Sequence, residues 1–216
     1  MAQQERAVRT RQAVLNAAAQ VFAEHGYVAA TVADILHTAG VTKGALYFHF
    51  DSKEALAKGV LELQTNLHLT PQDIKLQELI DLTMTVAHQL PTDPVLRAGA
   101  RLSADPVGRE HYESAWTNWV TLITNILTQA HQHHETLPHI QPLETAELVV
   151  SAFNGVQLYS HLETNHTDIE HRVSTLMKHL MPSIATPTTL MRLDMNPDRG
   201  ARLLTPTPPT PKTSSH

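Results

Sequence analysis

"TVADILHTAGVTKGALYFHF", residues Thr31–Phe50, is the stretch on which the reading of this chain turns. Thr31 and Thr42 each stand just ahead of a short apolar-periodic run. Both are good N-caps, because a threonine hydroxyl accepts a hydrogen bond from a first-turn N–H that has no partner within the helix. Val32, Ile35 and Leu36 mark the inner face of the first run, and Gly40 closes it in the conformation glycine favours. In the second run Leu46 and Phe50 are four residues apart and share a face. They are expected to enter a core with Ile35 and Val21, together with part of Phe48. Gly44 is the anomaly. A glycine inside a helix costs about 1 kcal/mol relative to alanine, and a purely structural helix has no use for one there.

Upstream, "RQAVLNAAAQVFAEHGY" (11–27) places Val14, Leu15, Ala18, Val21 and Phe22 at helical spacing and stops at Gly26. A longer helix followed by two short ones with a glycine-containing turn forms a helix-turn-helix within a three-helix bundle. Downstream, helical periodicity continues from Ser52, from Pro71, from Pro94, through 109–134, through 142–163 and through 168–181, where Pro182 stops it. No stretch alternates as a strand would. The expected fold is all-α: an N-terminal helix-turn-helix domain over 1–52 and a larger helical ligand-binding and dimerisation domain over 53–185. Residues 186–216 read as a largely disordered Pro/Thr-rich tail.

The chain of 216 residues has no cysteine, which excludes disulfides, thiolate zinc sites and thiol catalysis. No apolar run approaches the roughly 18 residues needed to cross a bilayer, so a cytoplasmic protein is expected, without a membrane partner. The net charge of −5 conceals a split, since residues 1–58 carry +1 and the remainder −6. No G-x-S-x-G elbow, Gly-rich phosphate loop or H-E-x-x-H occurs, and neither an enzyme nor a cofactor is expected. "HQHH" (131–134) with His139 invites a metal hypothesis. The cluster lies at a helix end, where histidine also suits the dipole, and no metal site is expected.

The outer side of the third helix carries Lys43, Gly44, Ala45, Tyr47 and His49. A tip nearly free of side chains allows close approach of another surface, and a DNA major groove, about 12 Å wide, admits one helix. Tyr47 offers a ring to a thymine methyl and a hydroxyl to phosphate. Lys43, His49 and Lys53, with the hydroxyls of Thr31 and Thr42, are suited to hold the DNA backbone and fix the register.

From Arg9 to Ala57 the chain resembles the DNA-binding domain of the TetR family of bacterial repressors, with "GVTKGALYFHF" and the following "SKE" as the specific motif. "TKGALYFHF", "VLELQ", "DPVLRAGARL" and a tryptophan ahead of a long helix are similar to its γ-butyrolactone receptor branch. The resemblance implies a homodimer that sets helix three into successive major grooves of double-stranded palindromic operator DNA. It also implies a ligand domain whose occupation by a small hydrophobic signalling ligand separates the two heads. DNA contacts then fall on Thr31, Thr42, Lys43, Gly44, Ala45, Tyr47, His49 and Lys53. Phe48 stands where many relatives have a phosphate-contacting tyrosine and, without the hydroxyl, is left out. In the ligand half the resemblance points to Gln64 and to a covering tryptophan, Trp119 in preference to Trp116. "AFNGVQLY" adds Phe153, Asn154 and Gln157 as pocket candidates, with Val156 as wall. The expected ligand is a γ-butyrolactone, butenolide or furan-type autoregulator acting on secondary metabolism. Two alternatives stay open: a pseudo-receptor sensing an antibiotic or its intermediate, and a helical sensor that does not bind DNA. The dimer interface is expected from 144–163 and 172–181.

Overall fold

A computed structural model describes residues 2–66, 70–105 and 115–205. Among these the chain is helical, with α1 (Ala2–Ala29), α2 (Val32–Ala39), α3 (Lys43–Tyr47), α4 (Lys53–Leu63), α5 (Lys75–Gln89) and α6 (Pro94–Ala104) in the first half. The second half holds α7 (Ala115–Gln132), α8 (Pro142–Thr164), α9 (Ile169–Ile184), α10 (Pro187–Leu190) and α11 (Arg199–Leu204). The start of the helix expected over 109–134 and the end of the one expected after Ser52 lie outside the described residues.

The caps read from the sequence carry the short helices. Thr31 accepts from Asp34 N while the Asp34 carboxylate accepts from Thr31 N, a reciprocal box. Thr42 and Ser52 accept from Ala45 N and Ala55 N in the same way. The start of α5 has no cap in its own sequence. Glu135, sixty residues away, supplies it, its two oxygens accepting from Lys75 N at 3.0 Å and Leu76 N at 2.9 Å. That carboxylate, the one nearest the histidines of "HQHH", is thus a helix cap.

Two apolar cores form. In the N-terminal one, Leu46, Phe50, Ile35 and Val21 are buried together with Phe22 and Leu15. It continues past residue 52, taking in Leu56, Val60 and Leu61 of α4 and Ala98 and Leu102 of α6. The second core is built from α5, α7, α8 and α9, and Trp116 packs against both.

The expected tail needs correction. Residues 186–205 carry α10 and α11, and α11 lies along α5. Arg199 grips the buried carboxylate of Asp81 with two donors, Nε to Oδ1 and Nη2 to Oδ2, both at 2.8 Å. Gln77 braces the same carboxylate at 2.7 Å and pairs with the backbone of Asp194 in both directions. Residues 206–216, the most proline-rich part, lie outside the described residues.

Removing one member of a buried ion pair strands the other charge, at a cost of about 3 kcal/mol. Arg199→Ala is therefore expected to lower the melting temperature by roughly 6–12 °C for a chain of this size, read by circular dichroism. An unchanged melt would mean that the α11 strap does not hold α5.

Candidate functional site

The N-terminal face is assembled by α2, α3 and the start of α4. In α3 and the turn that follows it the inward positions Leu46 and Phe50 are buried, which turns Thr42, Lys43, Gly44, Tyr47 and Phe48 outward. A Cβ added at Gly44 would meet nothing within 4 Å, so nothing inside the chain calls for glycine there. The Lys43 ammonium stands 5.8 Å from the Tyr47 ring centre. Ala45 and His49 are half-buried, and the His49 ring meets Phe48 edge-on at 5.0 Å.

Three readings of this face change. Phe48, expected partly in the core, is 79% exposed, because it sits beside Tyr47 on the outer stripe while Leu46 and Phe50 take the inward positions. Lys53 turns inward: its ammonium donates to the carbonyls of Tyr27 at 2.8 Å and Ala30 at 3.0 Å and lies over the Tyr27 ring. Those carbonyls, at the end of α1, attract a cation, so its charge is largely committed within the chain. The Thr31 hydroxyl donates to Asp34 Oδ2 at 2.6 Å, which occupies the proton a phosphate would need and holds the Asp34 carboxyl below its usual range. Thr42 differs. Its oxygen accepts from Ala45 N, and its proton remains free to be donated outward.

In the C-terminal half, α4, α5, α6, α7 and α8 line a cavity that opens to solvent at its mouth. Gln64, Trp119, Phe153, Asn154 and Gln157, separated by up to 93 positions in sequence, all line it. Trp116 lines it too, so the structure brings both tryptophans to the cavity. Sequence reading missed Thr83 of α5 and Ala100 and Ser103 of α6, which complete the wall.

The polar inventory of the wall is specific. Thr83 Oγ1 donates to Ile80 O, Ser103 Oγ to Gly99 O and Asn154 Nδ2 to Val150 O, so both hydroxyl protons and one of the two amide protons of Asn154 are spent inside their own helices. Gln64 is only 4% exposed, and its Nε2 has no hydrogen-bond partner. An unsatisfied buried amide costs about 1–3 kcal/mol, and this one belongs to a residue of the cavity wall. Its seat is Gly99, where a Cβ would collide with the Gln64 carboxamide. The glycine in "LRAGARL" was the readable sign: like Gly44 it interrupts an amphipathic helix, but here the close partner lies within the chain.

The cavity is wired to the head. Gln64 is the C-cap of α4, whose Leu56 and Val60 sit in the N-terminal core. Two residues after Gly99, Arg101 Nη1 donates to Ala23 O at 3.1 Å and Glu24 O at 2.8 Å. These carbonyls precede the break of α1 at Gly26, where φ is 73°. A group that moves Gln64 or α6 therefore acts on α1 and α4 together.

Comparison with known proteins agrees with this architecture. Residues 14–60 match the family of bacterial regulatory proteins described as tetR family, and 74–185 match the tetracyclin repressor-like C-terminal domain. The chain is 37% identical to the A-factor receptor protein of Streptomyces griseus, over 89% of this chain and 70% of the relative. It superimposes on full-length native TylP, a TetR regulator from Streptomyces fradiae, with a TM-score of 0.85 and 39% identity, covering 93% of this chain and 90% of the other. A γ-butyrolactone receptor, ArpA-like, gives a TM-score of 0.62 at 30% identity, over 92% of this chain and 98% of its own.

Filling the notch at Gly99 forces the Gln64 amide out of its seat. Overpacking of this kind costs about 1–3 kcal/mol. Gly99→Ala is expected to lower thermal stability by no more than that amount, since the obstructing atoms end a flexible side chain and alanine favours helix by up to about 1 kcal/mol. Gly99→Ala combined with Gln64→Ala is expected to recover most of the loss. Additive losses in the pair, measured by denaturant unfolding, would separate the two residues.

Proposed function

The chain belongs to the TetR family of bacterial regulatory proteins, and on that premise we propose that it is a homodimeric DNA-binding repressor, released from its operator by a small lactone-type signal. The observation that carries this reading is the buried, unpartnered amide of Gln64, set in the cavity wall at the end of the helix that supports the DNA-facing head.

The chemistry of the wall selects the ligand class. Aromatic and aliphatic side chains form most of it, Gln64 Nε2 supplies a donor, and Thr83, Ser103 and Asn154 keep acceptor lone pairs. A compact, mainly apolar molecule with a carbonyl and a hydroxyl satisfies all of them. The similar proteins named as an A-factor receptor and a γ-butyrolactone receptor support a butyrolactone of this kind, and with it control of secondary metabolism.

On the DNA side we assign backbone contacts to Lys43, His49 and the free hydroxyl proton of Thr42, and close approach to Gly44 and Ala45. Tyr47 meets base edges with its ring. Thr31 and Lys53 act mainly by shaping the face, through the α2 cap and the end of α1. Ligand contact at Gln64 draws α4 relative to α6, and the Arg101 bond to α1 turns that shift into a change of head position. Because ligand and operator favour different head spacings, each weakens the other to the same degree.

Dimerisation falls to α8. Leu148, Leu158, Tyr159 and Leu162 are exposed along it, and Gly155 among them leaves open space for a facing helix. The apolar face of α9 is largely occupied within its own subunit, with Val173, Met177 and Met181 buried. Its outward residues His171, Thr175 and Lys178 are polar and suit the rim of that contact. The protein then works in the cytoplasm, where the chromosome lies.

Selection of bound duplexes from random DNA, followed by titration with A-factor and related γ-butyrolactones, tests the reading. A palindromic site that is released by lactone is expected; enrichment of no sequence would end it. Gln64→Leu should leave operator affinity intact while raising the lactone concentration for release about ten-fold, the worth of one hydrogen bond. Gly44→Ala should melt no lower than the parent, since alanine favours helix by up to about 1 kcal/mol. It should nonetheless bind operator about ten-fold more weakly, because the added methyl overfills the contact. Equal operator binding by the alanine variant would remove Gly44 from the interface.

A further inference from the structure

Among the described residues Phe48 is the most exposed aromatic side chain, at 79%, whereas Phe22, Tyr27 and Phe50 of the same head are buried. Leaving such a ring in water forfeits the burial that drives the rest of the head together. Phe48 continues the turn of α3, with φ −64° and ψ −28°, and its N–H donates to Gly44 O. It therefore lies on one stripe with Gly44, four residues before it, and beside Tyr47. The open space at Gly44 lets that stripe approach an outside surface, and the Lys43 ammonium flanks it. The stripe is thus cationic at one end and apolar at the other.

A phenyl ring has no hydrogen to donate to phosphate, and pressing it against an anion removes water without replacing it. On the base edges of the major groove the apolar group is the C5-methyl of thymine. Resting on the DNA-binding reading, we infer that Phe48 is a specificity residue that packs against a thymine methyl in each operator half-site. The His49 ring, edge-on at 5.0 Å, holds the phenyl in that direction. Phe48 therefore reads sequence, where Lys43 and Thr42 only position the backbone.

The test takes the full-length protein and a palindromic duplex selected from random DNA. Each thymine pair is replaced in turn by deoxyuridine, which lacks only the methyl, and binding is measured by fluorescence anisotropy for the parent and for Phe48→Ala. One symmetric pair is expected at which the parent loses about four-fold per methyl, the factor for one buried carbon, while Phe48→Ala loses nothing further. A thymine read by Tyr47 would keep its sensitivity in the variant, which separates the two rings. Phe48 is exposed, so Phe48→Ala should melt like the parent, and Phe48→Leu should keep part of the methyl dependence. If every deoxyuridine effect persists undiminished in Phe48→Ala, or if that variant weakens all sequences alike, the inference is overturned although DNA binding stands. If no duplex is selected at all, the DNA-binding reading itself fails.

Discussion

The seat of Gln64 against Gly99 is the contact that joins the end of α4 to the cavity wall. A carboxamide is carried into an apolar interior with its Nε2 unpartnered, and it fits there because α6 presents no side chain at that point. The same contact brings the end of α4 against the middle of α6, and those two helices carry the N-terminal core on one side and the cavity on the other. A buried polar group in an apolar wall has little value as packing.

Around that joint the chain spends its cations on carbonyls at the end of α1. Lys53 binds the carbonyls of Tyr27 and Ala30, and Arg101 those of Ala23 and Glu24, on either side of the break at Gly26. Each bond satisfies oxygens that a helix end leaves open. Together they tie α1 to both α4 and α6. The face left for a partner is correspondingly small: the outer stripe of α3, with Lys43, Gly44, Tyr47 and Phe48. A modest patch agrees with a head whose net charge is only +1.

The far side of α5 shows why that helix can serve as a cavity wall. Glu135 caps its first turn, and Arg199 with Gln77 holds Asp81 on its outer face. With those anchors α5 offers Leu82, Thr83 and Val86 to the cavity from a fixed position. A wall that yielded would adapt to any entrant and discriminate among few.

Much of this was legible in the sequence, because helix period, caps and stops are local. Thr31, Thr42 and Ser52 marked their helices, and the spacing of Leu46 and Phe50 placed them inward. The five cavity residues were named from motif resemblance, not from spacing alone. Tertiary structure decided what depends on residues distant in the chain. Arg199 and Asp81, 118 positions apart, turn a segment that reads as tail into a packed strap. A glycine cannot say from sequence whether its gap is filled from within, as at Gly99, or stays open, as at Gly44. Phe48 was ambiguous for a related reason: adjacent rings share one composition, and only the packed neighbours settle which of them the core has room to cover.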